Sequence, residues 1–533
     1  MAKSKYIVIT GGVLSGLGKG AITASLGRLL RDDNKLVTIK CDGYFNVDPG
    51  TMNPYEHGEV FVLDDGAEVD MDFGHYERMI DITAKKDWNL TSGKVFYDII
   101  SKERRGDFLG KTVQMFPHVI NYITDKFQSI AEKEDADITL IEIGGTTDDD
   151  ENKWFIRAVK ELQYKVGKEN FIHGHLTYIP YVKCVNEIKT RIAQGDLAQI
   201  GSLRLFPDIL FCRSDDPLEK RIKDKISHMG QLREDRVIST HDVDNIYEIP
   251  LILEKEGVLN IISKKFGTSP RVNLKKWRNL VDRIKNPYKN VKIAICGKYT
   301  ELHDAYASII EAVRHAGAHL DARVELKWVE TTEKDEDNIE NLLSDVGGII
   351  IPGGFGSRGT EGKINVIKYA RENNIPFLGL CLGLQLAVVE YARNVCGLEG
   401  ANSTEIDENT QYPVVDILKE QKQLTTKGGN MRLGAYEAEI EPKSLVQKLY
   451  KQDTVSERHR HRYEVNPNYH DILKERGLVF SGMSPDRKLV EFIELPKHRY
   501  FVATQAHPEF KSRLEKPAPL FYGLVKAALN HNL

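Results

Sequence analysis

The chain has 533 residues, with 74 Lys and Arg against 78 Asp and Glu and a formal net charge of −4. This length accommodates two or three domains with sizeable cores, and the balance of charge argues against nucleic-acid binding through bulk positive charge. Six widely spaced cysteines and a polar N-terminus without a long apolar run favour a cytoplasmic protein with neither a disulfide scaffold nor a signal peptide nor a membrane span.

In the first half of the chain, short apolar segments rich in β-branched residues alternate with helical segments. This alternation is typical of a parallel sheet covered by helices on both faces. The sequence predicts a helix over 21–30 and strands at 6–10, 36–39, 137–143, 207–212 and 236–239.

The sequence pattern changes near residue 265, which indicates a domain boundary. Leu274, Trp277, Leu280, Val281 and Ile284 recur at helical spacing before Asn-Pro ends the segment, which predicts a linker helix. The second half again predicts a helix, at 305–316, and strands at 291–296, 323–329, 347–351 and 376–380. The expected fold class is α/β, with two doubly wound parallel-sheet domains at 1–268 and 290–533 joined by a linker over 269–289.

A glycine-rich loop, TGGVLSGLGKG over residues 10–20, separates the first strand from the first helix. Backbone N–H groups in such a loop, together with a helix N-terminus, bind polyphosphates, and Lys19 would lie on the terminal phosphates. The spacing differs from that of a standard P-loop, and Gly20 replaces its Ser or Thr. The alternative is a glycine turn that binds nothing.

Charged residues follow two of the other predicted strands. Lys40 ends the second strand, where α/β folds place ligand groups, and Glu142 lies near the end of the third. Asp70 and Asp72 alternate in an extended segment. These acids would suit Mg²⁺ carried by a nucleotide. The alternatives are a solvated lysine and capping acids.

In the second half, GLCLG over 379–383 lies between a strand and a helix, which is typical of a nucleophile elbow with Cys381 as nucleophile. The helix N-terminus would favour the thiolate. His507 and Glu509, on one side of an extended segment, would be the base and its orienting acid, and PGGFG over 352–356 would form an oxyanion hole. The alternative is a buried structural cysteine with a satisfied histidine.

The segment RHRHRYEV over 458–465 would place three arginines on one face of a strand. One of them could bind a substrate carboxylate in bidentate fashion. A nucleic-acid patch and a solvated edge are the alternatives.

Taken together, these stretches resemble the CTP synthase family, from Tyr6 to about Lys526. The stretches that carry the resemblance are GGVLSGLGKG, NVDPGTMNPYEHGEVFVLDDGAEVDMDFGHYER, KERRGDFLGKTVQ, IEIGGT, PGGFGSRGTEGK, FLGLCLGLQLAVVEYARN, ANSTE, MRLG, RHRHRYEVN and HPEF.

For the first half, the resemblance implies a P-loop-like amidoligase domain that uses MgATP to phosphorylate O4 of UTP before ammonia displaces the phosphate. The implied ATP-binding residues are Ser15, Gly16, Leu17, Gly18, Lys19, Gly20, Lys40, Arg213, Asp242 and Val243. The implied UTP- and CTP-binding residues are Ser15, Asp149, Glu151, Lys189, Arg191, Gln194 and Lys225, partly across subunits of a homotetramer. Asp72 and Glu142 would be the Mg²⁺ ligands.

For the second half, the resemblance implies a class I glutaminase with Cys381, His507 and Glu509 as the catalytic triad. The implied glutamine-binding residues are Gly354, Phe355, Leu382, Gln385, Glu405 and Arg462. His57 and Val60 would form the mouth of an ammonia passage. Arg358 and Glu361 would belong to an element that responds to GTP as an activator, and CTP would act as an inhibitor. The implied partners are these small molecules, with no nucleic acid and no membrane.

Several positions depart from the family pattern. Gly43 replaces a proline, TDDDE over 147–151 replaces the usual loop after Gly-Gly-Thr, and Arg191 replaces a lysine within 189–194. The usual threonine before MRLG is Asn430. These changes concern triphosphate and effector recognition. They leave open a glutamine-dependent amidoligase with another acceptor, and a nucleotide-binding protein with silent sites.

Overall fold

The computed structural model describes residues 4–12, 14–52, 58–298, 302–331, 336–417 and 431–531. The chain divides into two compact units, one of Met1–Thr51 with Met71–Arg278 and the other of Met52–Asp70 with Asn279–Leu533. The segment Met52–Asp70 thus belongs to the unit formed by the second half of the chain. The boundaries given by the sequence stay predictions. Over the described ranges, no helix is both long and apolar enough to cross a bilayer.

The first unit is built on a seven-stranded sheet in which every neighbouring pair is parallel. In spatial order its strands are Val237–His241, Ile209–Ser214, Phe171–Tyr178, Lys5–Gly11, Ile138–Ile143, Leu36–Asp42 and Asn89–Thr91. A small hairpin, Tyr181–Val182 with Glu187–Ile188, stands apart. The helices are Lys19–Leu30, Asp72–Ile80, Ser92–Arg105, Ile120–Lys133, Lys153–Val166, Arg191–Ser202, Lys220–Gly230, Ile249–Lys255 and Val258–Phe266.

All five strands predicted for this unit are present, with ends shifted by at most three residues. The prediction missed the edge strand Asn89–Thr91 and the strand Phe171–Tyr178, which pairs directly with the first strand. The second of these has a polar composition. This strand contains two fully buried histidines, His173 and His175, and both hydrogen-bond the hydroxyl of Thr10. Thr10, whose hydroxyl hydrogen-bonds both of these buried histidines, lies about 165 residues away from them in sequence.

The second unit contains a nine-stranded mixed sheet. In spatial order its strands are Ala322–Glu330, Lys289–Gly297, Gly348–Ile351, Phe377–Leu380, Phe501–Thr504, Val490–Glu494, Val479–Met483, Arg432–Ile440 and Thr454–His461. The first five are parallel, and four of them were predicted, whereas Phe501–Thr504 was not; the rest are antiparallel. Smaller strands are Phe61–Val62, Glu68–Val69, Asn402–Ser403, Pro413–Ile417 and Tyr463–Val465.

Helices cover both faces of this sheet. They are Ala307–Leu320, Glu336–Leu343, Thr360–Glu372, Leu382–Asn394, Leu445–Tyr450, His470–Glu475 and Pro519–His531. Alternate residues of one strand enter different cores, because Ile349 and Ile351 pack in one apolar cluster and Ile350 in the other. A doubly wound fold requires that both faces of its sheet be buried in this way.

The predicted linker helix is present as Lys275–Lys285. Four members of its predicted apolar stripe are buried, and the indole of Trp277 donates a hydrogen bond to the carbonyl of Tyr247, with 2.8 Å between the two atoms.

Candidate active sites

The glycine-rich loop joins the carboxyl end of the central strand to the helix Lys19–Leu30. Gly18 is the N-cap of this helix with a φ of +94°, a conformation that an L side chain would strain. Lys19 is 6% exposed, and its Nζ donates to the carbonyl of Gly145 at 2.6 Å. Burial lowers the pKa of Lys19, with neighbouring charges acting in both directions. Ser15 and Gly16 are exposed at the tip of the loop.

The ammonium group of Lys40 is surrounded by carboxylates, including those of the two predicted Mg²⁺ ligands, Asp72 and Glu142. Its Nζ lies 2.7 Å from Asp72 Oδ2, 3.2 Å from Glu142 Oε1 and 3.3 Å from Asp42 Oδ1. Asp72 does not lie in an extended segment, as expected, but is the first residue of the helix Asp72–Ile80. The two acids converge on a single point within reach of Lys19, an arrangement that fits a Mg²⁺ ion carried by a nucleotide.

The acids of this cluster differ in their proton affinity. Burial would raise the pKa of Asp72, but Lys40 and His75 lower it to about 2. Burial raises the pKa of Glu142 despite the nearby Lys40, and the hydroxyl of Tyr76 donates a hydrogen bond to Glu142. No three His, Cys, Asp or Glu side chains among the described residues are grouped so that they could hold a metal by themselves. An ion here would need the phosphates of a nucleotide to complete its coordination.

The close approach of Asp72 explains why position 20 is glycine and not the usual Ser or Thr of a P-loop. A Cβ at this position would lie 2.1 Å from Oδ1 of Asp72. The carboxylate of Asp72 therefore occupies the space that a P-loop hydroxyl would use.

The residues expected around the adenine lie together at the edge of the sheet. A small cavity of about 10 Å³ is lined by Leu17, Gly18, Ile22, Arg213, Thr240, His241, Ile249 and Ile252. Nε of Arg213 lies 2.6 Å from Oδ1 of Asp242, next to the half-buried Val243.

The residues expected to bind the UTP triphosphate lie on a hairpin and two helices. Lys189 and Lys225 both act on Glu187, whose pKa is lowered by the hydrogen bond and charge of Lys189 and then by Lys225 and Arg221. Arg191 is the first residue of the helix Arg191–Ser202. Gln194 donates to the hydroxyl of Thr190 at 3.3 Å.

Gly43 and the loop over 147–151, which both depart from the family pattern, lie against each other. Asp149 accepts hydrogen bonds from the backbone of Thr146, at 2.6 Å, and from Asn152, at 3.3 Å. A Cβ at Gly43 would lie 2.7 Å from Asn152 Oδ1 and 2.9 Å from the Cβ of the exposed Glu151. The altered loop therefore packs against a position where only glycine fits without a shift.

Cys381 lies at the sharp turn between the strand Phe377–Leu380 and the helix Leu382–Asn394. Its φ of 50° and ψ of −101° are strained for a non-glycine residue, and its backbone N–H donates to Thr504 at 2.8 Å. The turn brings chain segments too close for side chains, because a Cβ at Gly383 would lie 2.4 Å from the carbonyl of Ile351. This is the geometry of a nucleophile elbow.

His507 is held between the thiol and a carboxylate. Its Nδ1 lies 2.7 Å from Oε1 of Glu509. The strand ends at Thr504, so this contact arises in the short helix Pro508–Lys511 and not in the extended segment expected. Burial would lower the pKa of His507, but Glu509 and Cys381 raise it to about 10.

Two cavities meet at Cys381. The smaller is lined by the thiol, by His461 and Tyr463, and by five of the six predicted glutamine-binding residues, namely Gly354, Phe355, Gln385, Glu405 and Arg462. Glu405 accepts a hydrogen bond from the backbone of Gly356 at 2.9 Å. Gly354 also faces Leu382, because a Cβ built on Gly354 would lie 3.6 Å from Cδ2 of Leu382.

The larger cavity, of about 300 Å³, extends from Cys381 and His507 to Gly58, Glu59 and Val60. Val60 thus lines a space continuous with the thiol. His57 lies outside the described residues. Of the other predicted effector residues, Glu361 forms an ion pair with Arg393 at 2.8 Å, and Arg358 is exposed.

The three arginines of RHRHR do not share one face, because the strand Thr454–His461 ends before Arg462. Arg458 and Arg460 bind Asp64 and Glu68 of the hairpin 61–69, at 2.5 and 2.7 Å. Arg462 instead lines the smaller cavity.

Several contacts around the thiol could not be anticipated from the motifs. Gln505 donates to Sγ of Cys381 at 3.8 Å, and the carbonyl of Arg460 lies 3.8 Å from the same atom. Beside them, Arg432 binds Glu464 and Glu491 in a buried cluster, at 3.0 and 2.8 Å. Gln505 lies two residues before His507 in the sequence, but the direction of its side chain depends on the fold.

Comparison with known proteins identifies the family. Residues 5–268 match the family described as CTP synthase N-terminus, and residues 301–527 match glutamine amidotransferase class-I. A CTP synthase of Methanocaldococcus jannaschii is 52% identical over 537 residues, covering 99% of each chain. One from Bacillus subtilis is 48% identical over 528 residues, again covering 99% of each. The chain belongs to the CTP synthase family.

A solved structure, the glutaminase domain of Trypanosoma brucei CTPS with bound acivicin, is 39% identical with a TM-score of 0.43, covering 45% of this chain and 94% of that one. The matches confirm the predicted family, the α/β fold class and the enzyme class of a glutamine-hydrolysing ligase. The individual site residues stay predictions.

Proposed function

We propose that this protein converts UTP to CTP, with ATP as phosphoryl donor and the amide of L-glutamine as the source of nitrogen. The observation that carries the proposal is the thiol of Cys381, which lies beside the His507–Glu509 pair and opens onto two cavities. One cavity is lined by Gln385, Glu405 and Arg462, which can bind the amino and carboxylate groups of an amino acid, and the other leads away from it.

In the glutaminase reaction, the sulfur of Cys381 attacks the glutamine amide carbon to form a tetrahedral intermediate. The backbone N–H groups of Gly354 and Leu382 stabilise its oxyanion. Protonated His507 gives its proton to the leaving nitrogen, ammonia departs, and a glutamyl thioester remains. Water, deprotonated by His507, then cleaves the thioester and releases glutamate. Gln385, Glu405 and Arg462 hold the substrate's amino and carboxylate groups.

The ammonia leaves through the 300 Å³ cavity toward Val60. Free ammonia in water is mostly protonated at neutral pH and is then not nucleophilic. An enclosed path raises its effective concentration and limits contact with water. His57 would lie at the mouth of this path.

In the synthetase reaction, O4 of UTP takes the terminal phosphoryl group of ATP, and ammonia then displaces phosphate from C4. Lys19 and Lys40 bind the ATP phosphates, and Arg213, Asp242 and Val243 surround the adenine. Asp72 and Glu142 would hold Mg²⁺, which neutralises phosphate charge when bound. Lys189, Arg191, Gln194 and Lys225, with Ser15, bind the UTP triphosphate in a homotetramer.

Regulation would use the same surfaces. CTP would inhibit through Asp149 and Glu151, and GTP would activate through Arg358 and Glu361. Because Asp149 already accepts two hydrogen bonds within its own loop, we expect CTP inhibition to be weaker than in relatives with the usual loop. We expect the enzyme to work in the cytoplasm.

The test is CTP formation from UTP and MgATP, once with glutamine and once with ammonium chloride at alkaline pH. We expect CTP from both, and Cys381→Ala should abolish only the glutamine-driven reaction. Cys396→Ala is the matched control, since Cys396 lies at a helix end away from the elbow. Glutamate release without CTP from either source would contradict UTP as the acceptor and favour an amidoligase with another acceptor.

A further inference from the structure

Besides Cys381 and Tyr306, the wall of the 300 Å³ cavity carries six side chains of acids and bases: Glu59, Lys298, Lys363, Arg460, His507 and Glu509. Five of them have a partner. Glu59 accepts from the backbone and hydroxyl of Ser308, Lys298 donates to the carbonyl of Phe355, Arg460 binds Glu68, and His507 binds Glu509.

Lys363 differs from these five. It is 2% exposed, on the helix Thr360–Glu372, and it lines the cavity that begins at Cys381. Across the described ranges of the chain, its Nζ has neither a hydrogen bond nor an ion pair. A buried amine without a partner is costly, so its retention beside a reaction site points to a role in that site.

We infer that Lys363 is an electrostatic filter that keeps ammonia unprotonated in the cavity between Cys381 and Val60. This inference rests on the proposed function, since it requires ammonia to be released at Cys381. The physical basis is that a fixed positive charge disfavours a second positive charge nearby. In a low-dielectric cavity the effect is stronger than in water, so ammonium is excluded and neutral ammonia is not.

The charge state of Lys363 agrees with this role. Burial, and then the charge of Lys298, lower its pKa to about 8, while Cys296 and Glu330 act in the opposite direction. Lys363 is therefore mainly protonated at neutral pH, where ammonia in water is mostly ammonium. At alkaline pH the lysine loses its charge, but there a much larger share of the ammonia is already neutral, so the filter matters less.

The experiment measures CTP and glutamate in the same reaction with saturating glutamine, UTP and MgATP, at about pH 7 and about pH 9. The readout is the ratio of CTP to glutamate, which a change in the rate of hydrolysis alone does not alter. For Lys363→Met, which keeps the length and removes the charge, we expect this ratio to fall about threefold or more at the lower pH and to recover at the higher. Lys363→Arg, which keeps the charge, should retain the native ratio at both.

Lys368→Met is the matched control, because Lys368 is on the same helix but does not line the cavity. A native ratio in Lys363→Met at both pH values would overturn the inference, and so would an equal fall at both, which indicates a packing defect. If Lys363→Met does not fold, judged by circular dichroism, Lys363→Gln carries the same test. No CTP from the native chain with either nitrogen source would instead contradict the proposed function.

Discussion

Arg460 binds Glu68, with 2.7 Å between Nε and Oε1, although 392 residues separate the two in sequence. The same arginine lies over the ring of Phe355, 5.4 Å from its centroid, and its carbonyl is 3.8 Å from Sγ of Cys381. The hairpin that follows Val60 is thereby attached to the strand that borders the thiol. This contact ties the wall of the larger cavity to the nucleophile.

We therefore predict that Glu68→Gln lowers kcat/KM for glutamate release about fivefold. Without Glu68 as its charge partner, the guanidinium of Arg460 can move away from Phe355. A partly exposed ion pair of this kind stabilises its geometry by about 1 kcal/mol. The measurement is glutaminase kinetics, with Glu437→Gln, an exposed acid on the neighbouring strand, as control. Equal kinetics in both variants would show that the pair does not order the site.

Gly353→Ala should inactivate the glutaminase by displacing His507. The added Cβ would lie 2.7 Å from Cε1 of the imidazole. We expect glutamate release to fall about a hundredfold, whereas CTP formation from ammonium chloride persists. Gly195→Ala is the control for an added methyl group, because Gly195 lies in the helix Arg191–Ser202, outside the glutaminase site, and its Cβ would meet none of the described residues within 4 Å. A similar loss in both variants would contradict displacement of His507.

The raised pKa of His507 makes the stability of the folded protein depend on pH. Its pKa moves from 6.5 to about 10 in the folded chain, so protonation favours folding. This contribution is complete below about pH 6.5 and is lost as the pH rises through 10. Because Glu509 is the largest cause that raises this pKa, Glu509→Gln should flatten the dependence of unfolding free energy on pH in this window. Denaturant titrations at several pH values measure this dependence, with Glu437→Gln as the control. If the unfolding free energies of Glu509→Gln and of the native protein changed equally with pH, Glu509 would not be the cause of the raised pKa.

Lys40→Met should abolish CTP formation from both nitrogen sources and leave glutamate release intact. It would leave Asp72 and Glu142 buried together without their common cation, and removing one partner of a buried ion pair costs about 3–5 kcal/mol. Product assays and thermal unfolding measure the two effects. The exposed Lys35→Met is the control, and CTP formation at the native rate in Lys40→Met would contradict the assignment.

The elements that the sequence predicted best are those whose signal is local. Apolar strands next to glycine turns identified the central strand and the elbow at Cys381, since the tight turn and the buried strand are properties of adjacent residues. The strand Phe171–Tyr178 was missed because His173 and His175 are acceptable in a core only next to Thr10, which is distant in sequence. The antiparallel part of the second sheet was missed as well.

The same distinction applies to the sites. The triad and the phosphate loop carry recognisable spacings, so their residues could be named from the motifs. Lys363 ends the motif PGGFGSRGTEGK and Gln505 lies two residues before His507, but only the fold directs the first side chain into the cavity and the second toward the thiol. The end of the strand at His461, which separates Arg462 from Arg458 and Arg460, likewise has no signal in the alternating pattern of RHRHR.

Gly20→Ala tests whether the unusual glycine of the phosphate loop is required by Asp72. The added Cβ would lie 2.1 Å from Oδ1 of Asp72, and the carboxylate would have to move away from Lys40. We expect CTP formation from ammonium chloride to fall about tenfold or more, with glutamate release unchanged. Gly201→Ala is the control, since among the described residues its Cβ would meet Phe206 alone, at 3.4 Å, within a helix where alanine is favoured. CTP formation at the native rate in Gly20→Ala would mean that Asp72 can be displaced without loss, which would contradict its proposed part in holding Mg²⁺.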